Sequence, residues 1–163
     1  MKSMNKEFTL VLLVLLFAGC SKKPALNKPA LGNWSSTSTI IINPRVPIEP
    51  LHSGMTIQEV IAEVGQPTRT NATGLEFSNL GFFICPNTEE FTLFPPFGGH
   101  TKEGIGMGST RADVIKAYGE PTTAKITGAG FELLRYAPLA MKFQIHDGKV
   151  DWIDVFSQPA KMN

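Results

Sequence analysis

Three histidines, a mid-chain cysteine, two hydroxyls ahead of an apolar run and three late aspartates are the groups in this chain with the reactivity to ligate or catalyse. His52, His100 and His146 lie far apart, so no two share the close helical spacing of a zinc pair, and no Cys/His cluster accompanies them. No metal is expected. Gly104-Ile105-Gly106-Met107-Gly108-Ser109 has the glycine density of a phosphate loop. It lacks the Gly-Lys-Ser/Thr ending, and it lacks the βαβ setting with a ribose-binding acid. It reads as a flexible entry into a helix, where glycine gives the backbone freedom. Ser109 and Thr110 precede that helix and suit capping better than nucleophilic attack. Asp147 falls in a turn, and Asp151 and Asp154 are expected on opposite faces of one strand, as solvated positions. Cys85 closes Phe82-Phe83-Ile84-Cys85 and is expected to be a small buried hydrophobe. No catalytic residue, metal or cofactor follows, and the chain is not expected to be an enzyme.

The chemistry that remains is covalent modification near the N-terminus. Lys2 and Lys6 give a basic start, Phe8 to Phe17 is apolar apart from Thr9, and Ala18-Gly19-Cys20 closes the run. The run is shorter than the ~20 residues that span a bilayer as a helix. Alone it would serve an ordinary signal peptide or a single anchor. Cysteine directly after Ala-Gly resembles the bacterial lipoprotein signal, with Phe17 where that pattern usually has Leu, Val or Ile. The resemblance implies removal of 1–19 and lipidation of Cys20 as the mature N-terminus. In that class Asp after the cysteine usually marks inner-membrane retention, and here Ser21 follows, so the outer membrane, periplasmic face, is the expected address. Cys85 is then left without an intrachain disulfide partner. Removing Lys2, Lys6 and Glu7 from the fifteen basic and fourteen acidic residues leaves thirteen of each. A neutral mature chain argues against nucleic acid as a partner.

Residues 20–38 are rich in Lys, Pro, Asn and Ser without apolar periodicity, and are expected to be a flexible tether. A two-repeat domain is expected over 39–157, with repeat 1 at about 50–97, repeat 2 at about 104–157 and a short tail at 158–163. Gly54 to Thr68 aligns over Gly108 to Thr122 at an offset of 54 residues, with seven of fifteen positions identical. Thr56 and Glu59 have capping-box spacing, as do Thr110 and Asp113. Ile57, Val60, Ile61 and Val64 form one apolar stripe, and Gly65 and Pro67 stop the helix. In the second copy Val114, Ile115 and Tyr118 face inward and Gly119 and Pro121 terminate. After each helix the period becomes two. Leu75 to Phe77, Gly81 to Cys85 and Phe91 to Phe94 read as strands, then Phe131 to Tyr136, Met141 to His146 and Val150 to Val155, with Asp147-Gly148 as a tight turn. The expected class is α+β: two tandem helix-plus-antiparallel-strand repeats forming one sheet, short helices packed on one face.

Gly-Met-Thr-x-x-Glu-Val-Ile-x-x-x-Gly-x-Pro, an aromatic strand and a hairpin ending Asp-Gly-Lys-Val-x-x-Ile together resemble the SmpA/OmlA (BamE-like) small outer-membrane lipoproteins. The doubled unit is similar to the architecture of β-lactamase inhibitor proteins. The first resemblance implies a lipoprotein acting through protein contact in outer-membrane assembly or integrity. The second implies an inhibitor or binding module for an envelope enzyme. The expected partners are the membrane, through the lipid anchor, and an envelope protein. Phe94 and Phe97 lie in an aromatic and proline-rich stretch that cannot pair regularly, and either cover the sheet between the repeats or form a partner patch; with Tyr136, close to a further proline, they are the candidate partner-binding residues.

Overall fold

The computed structural model describes residues 35, 37–86 and 89–159. The expected signal segment 1–19, Cys20, most of the tether and the end of the tail lie outside the described residues.

Among the described residues two α-helices, one short 3-10 turn at Ala137–Leu139 and one antiparallel sheet make an α+β fold. Helix α1 (Ile57–Val64) precedes β1 (Arg69–Thr70), β2 (Leu75–Phe77), β3 (Phe82–Cys85) and β4 (Glu90–Leu93). Helix α2 (Arg111–Tyr118) precedes β5 (Thr123–Ile126), β6 (Glu132–Tyr136), β7 (Met141–His146) and β8 (Lys149–Phe156). The eight strands run in the order β1-β2-β3-β4-β8-β7-β6-β5, so β4 and β8 meet at the centre and β1 and β5 form the edges. Neither edge strand is among the strands expected from the sequence.

Both helices start on complete capping boxes. The Thr56 hydroxyl accepts from the Glu59 N–H at 3.2 Å and the Glu59 carboxylate accepts from the Thr56 N–H at 2.7 Å. Thr110 and Asp113 repeat this at 3.1 and 2.9 Å. The Thr56 backbone and hydroxyl donors hold the Glu59 carboxyl below its ordinary range. The Thr110 hydroxyl and then its N–H do the same for Asp113. Ile57, Val60 and Ile61 are buried with Val64 partly so, whereas in α2 only Val114 is buried and Ile115 and Tyr118 are half-covered. Each helix stops at a glycine of positive φ, Gly65 at 89° with ψ −171° and Gly119 at 75° with ψ −164°. That is the extended mirror region open essentially to glycine alone, a stricter demand than the left-handed cap the sequence suggests.

Register sorts the sheet into two faces. Leu75, Ile84, Phe91, Val155 and Met141 lie in line across it, as do Phe77, Phe82, Leu93, Ile153, Phe143 and Leu134, and all are buried in one core with the helix stripes. Residues 39–51 contribute Ile40, Ile42, Val46, Ile48 and Leu51 to that core without forming a strand. Asn43, itself buried, donates from Nδ2 to the Phe156 carbonyl at 2.9 Å and the Leu139 carbonyl at 3.2 Å, tying this segment to the end of the sheet. The opposite face of the sheet carries no helix among the described residues.

Candidate protein-docking face

Strand β8 sets the open face. The β7–β8 register shifts between Gln144 and Ile145, so two residues, Asp151 and Trp152, separate the buried Val150 from the buried Ile153. The bulge therefore turns Asp151 and Asp154 to the same side, where plain alternation predicts opposite sides. Asp151 accepts from Gln144 Nε2 at 3.2 Å and lies 3.5 Å from His146 Nδ1.

Trp152 is 39% exposed and stacks on Phe94 of the chain beyond β4, centroids 5.4 Å apart at 25°. Its indole N–H donates to Asp154 at 2.8 Å, and the Thr92 hydroxyl donates to the same oxygen at 3.0 Å. Burial pushes the Asp154 carboxyl above its ordinary range, against these two hydrogen bonds and the attraction of Lys142 across the strand. A groove of about 510 Å³ lies beside this cluster, walled by Phe83, Phe94, Trp152 and Cys85, with Glu76 and Glu90 adding acid. Arg69 crosses it in an ion pair with Glu76 at 2.6 Å. The Cys85 thiol donates to the Thr73 carbonyl at 2.9 Å, so this residue is buried but belongs to the groove wall. The arrangement offers flat aromatic surface, an oriented acid and hydroxyls. Among the described residues no group of three His, Cys, Asp or Glu is placed to hold a metal ion.

The three expected contact residues do not come together. Phe94 is half-buried on the open face. Phe97 lies on the helix side, lining a second groove of about 430 Å³ with Pro47, Leu51, Val64 and Leu80. Tyr136 is 3% exposed and packs against Phe143 and Tyr118, its hydroxyl donating to the Gly119 carbonyl at 2.9 Å. Burial raises its phenol above the ordinary value. That puts Tyr136 in the packing beneath α2 rather than among exposed rings. Trp152 is the residue the sequence reading did not put forward. Its signal is a tryptophan on the solvent side of an alternating strand with an acid two residues on.

No helix of the described residues is long and apolar enough to cross a membrane. No family model, curated protein or solved structure matches the chain.

Proposed function

We propose that this chain is a lipid-anchored bacterial envelope protein, tethered through Cys20 at the periplasmic face of the outer membrane, that acts by protein contact through its open sheet face. The supporting observation is the Phe94–Trp152 stack, partly exposed beside an aromatic-walled groove on the sheet face that no described helix covers. Aromatic anchors in such a setting are where binding energy concentrates. Anchorage raises the effective concentration of the face near membrane partners.

We further read the two halves as a tandem duplication. Three hydrogen bonds in each half support this beyond the matching caps. Ile40 accepts from the Gly54 N–H at 2.8 Å and donates to Met55, and Ser38 accepts from the Ile57 N–H at 2.9 Å. Val150 accepts from the Gly108 N–H at 2.7 Å and donates to Ser109, and Gly148 accepts from the Arg111 N–H at 3.1 Å. The helix-side partners Gly54/Gly108, Met55/Ser109 and Ile57/Arg111 differ by the 54-residue offset of the sequence repeat, so 38–40 does for α1 what 148–150 does for α2.

Three variants test the proposal in cells. Cys20→Ala moves the protein from the membrane to the soluble periplasmic fraction; an unchanged fractionation refutes the tether. Trp152→Ala, with Phe94→Ala as a second variant, lowers recovery of the bound envelope protein at least tenfold, the scale of one hot-spot ring of about 2 kcal/mol. Unchanged recovery refutes the docking face. The same groove also fits an inhibitor of an envelope hydrolase. Under that reading the recovered partner is a hydrolase whose turnover the purified chain suppresses, whereas barrel-assembly components support the assembly role.

A further inference from the structure

The sheet's two edges are unequal. Edge strand β1 is two residues long, with Pro67 just before it. Edge strand β5, Thr123-Ala124-Lys125-Ile126, is exposed at every position, and Ile126 at 75% is the most exposed of the large hydrophobics among the described residues. The Thr127 N–H bonds to the Phe131 carbonyl at 2.7 Å. Antiparallel alternation then turns Lys125 and Thr123 toward their β6 partners Leu133 and Arg135. Ala124 and Ile126 are left with N–H and C=O groups directed away from the sheet. Register also places Lys125 and Thr123 on the open face beside Arg135, and Ala124 and Ile126 on the other, level with Leu134 and Glu132. Neither Lys125 nor Arg135 forms a salt bridge among the described residues, and the buried Nε of Arg135 has no hydrogen-bond partner.

We infer that β5 is a strand-addition site for an extended partner segment with alternating acidic and apolar residues. Backbone groups of Ala124 and Ile126 pair with it, its acids face Lys125 and Arg135, and its apolar side chains cover Ile126. Charge selects this occupant over a second copy of the chain. Strands pair about 4.8 Å apart, so a β5–β5 dimer would set two copies of Lys125 and Arg135 within about 15 Å. Much of that repulsion acts inside the ~8 Å screening length of physiological salt. The site is on the half of the sheet away from the Phe94–Trp152 groove and does not depend on that groove's role.

The test is amide exchange and titration of the full chain by NMR with two capped hexapeptides, one alternating Glu and Val, the other Lys and Val. The acidic peptide is expected to slow exchange at Ala124 and Ile126 at least fivefold and to leave Lys125, already bonded inward, unchanged. Ala124→Pro deletes an outward N–H without touching the β5–β6 ladder and should cut affinity at least fivefold. Lys125→Glu keeps every backbone donor and should reverse the preference between the peptides. Equal binding of both peptides, protection at other strands, or a free chain that is already dimeric with Ala124 and Ile126 protected would each overturn the inference.

Discussion

Alanine at Gly65 isolates one backbone effect. The new methyl group meets nothing within 4 Å, so no clash contributes. What it meets is its own main chain, held at φ 89° and ψ −171°. For a residue with Cβ that region costs about 1–3 kcal/mol. Gly119, at φ 75° and ψ −164° with equally open surroundings, should lose the same amount to within about 1 kcal/mol. Gly128 is the control: its methyl also meets nothing, but its φ is not positive. There alanine should be neutral or gain about 0.4–1 kcal/mol by stiffening the unfolded chain. Gly74 bounds the other end, since its Cβ would lie 2.0 Å from the Ile84 carbonyl oxygen and the strands would have to part. Urea unfolding of the four variants reads the series as midpoint shifts at constant slope. A Gly65→Ala protein as stable as Gly128→Ala refutes the argument, because neither methyl meets a neighbour and of the two only Gly65 has positive φ.

Asp154 gives a pH prediction. Burial raises its folded pKa above the unfolded value, so the fold favours the protonated form. Stability is fullest below the ordinary carboxylate value and is lost as pH rises through the raised one. Asp154→Asn, which keeps an oxygen for Trp152 and Thr92, should flatten thermal stability across that interval and raise it near neutrality; an unaltered pH profile counts against the assignment. Asn43→Ala strips donors from two carbonyls and should cost about 2–3 kcal/mol in the same unfolding assay. Ile40→Ala should cost about 2–5 kcal/mol and speed amide exchange at Gly54 and Ile57, whose N–H groups bond to residues 40 and 38.

The helices were legible because a capping box and a glycine stop bracket the eight residues of each, with an apolar stripe in α1 and Val114 as the buried anchor of α2. Strands β2 to β4 and β6 to β8 carry aromatic or aliphatic residues at most of the core-facing positions, and those signals survive in sequence. Strand β5 does not, because an edge strand exposed on both sides has no hydrophobic period to read, and β1 is too short to have one. Residues 39–51 conceal their contribution differently. Pro44, Pro47 and Pro50 forbid regular structure, yet irregular backbone still buries five aliphatic side chains. The β8 bulge resets alternation after Val150, so the side taken by Asp151 follows from pairing with β7 and not from its own neighbours. The Phe94–Trp152 stack depends on β4 meeting β8, a junction between distant segments that local patterns do not encode. The solvent side of Trp152 is therefore legible from its alternation with Ile153, but its stacking on Phe94 is not.

Site-specific photocrosslinking in cells tests the docking account most directly. A photoreactive residue at position 152, in the full chain with Cys20 intact, should capture a discrete envelope protein, and the same residue at exposed Glu63 on α1 should not. Capture from position 63 alone, or an equal pattern from both, would contradict an open sheet face that binds protein.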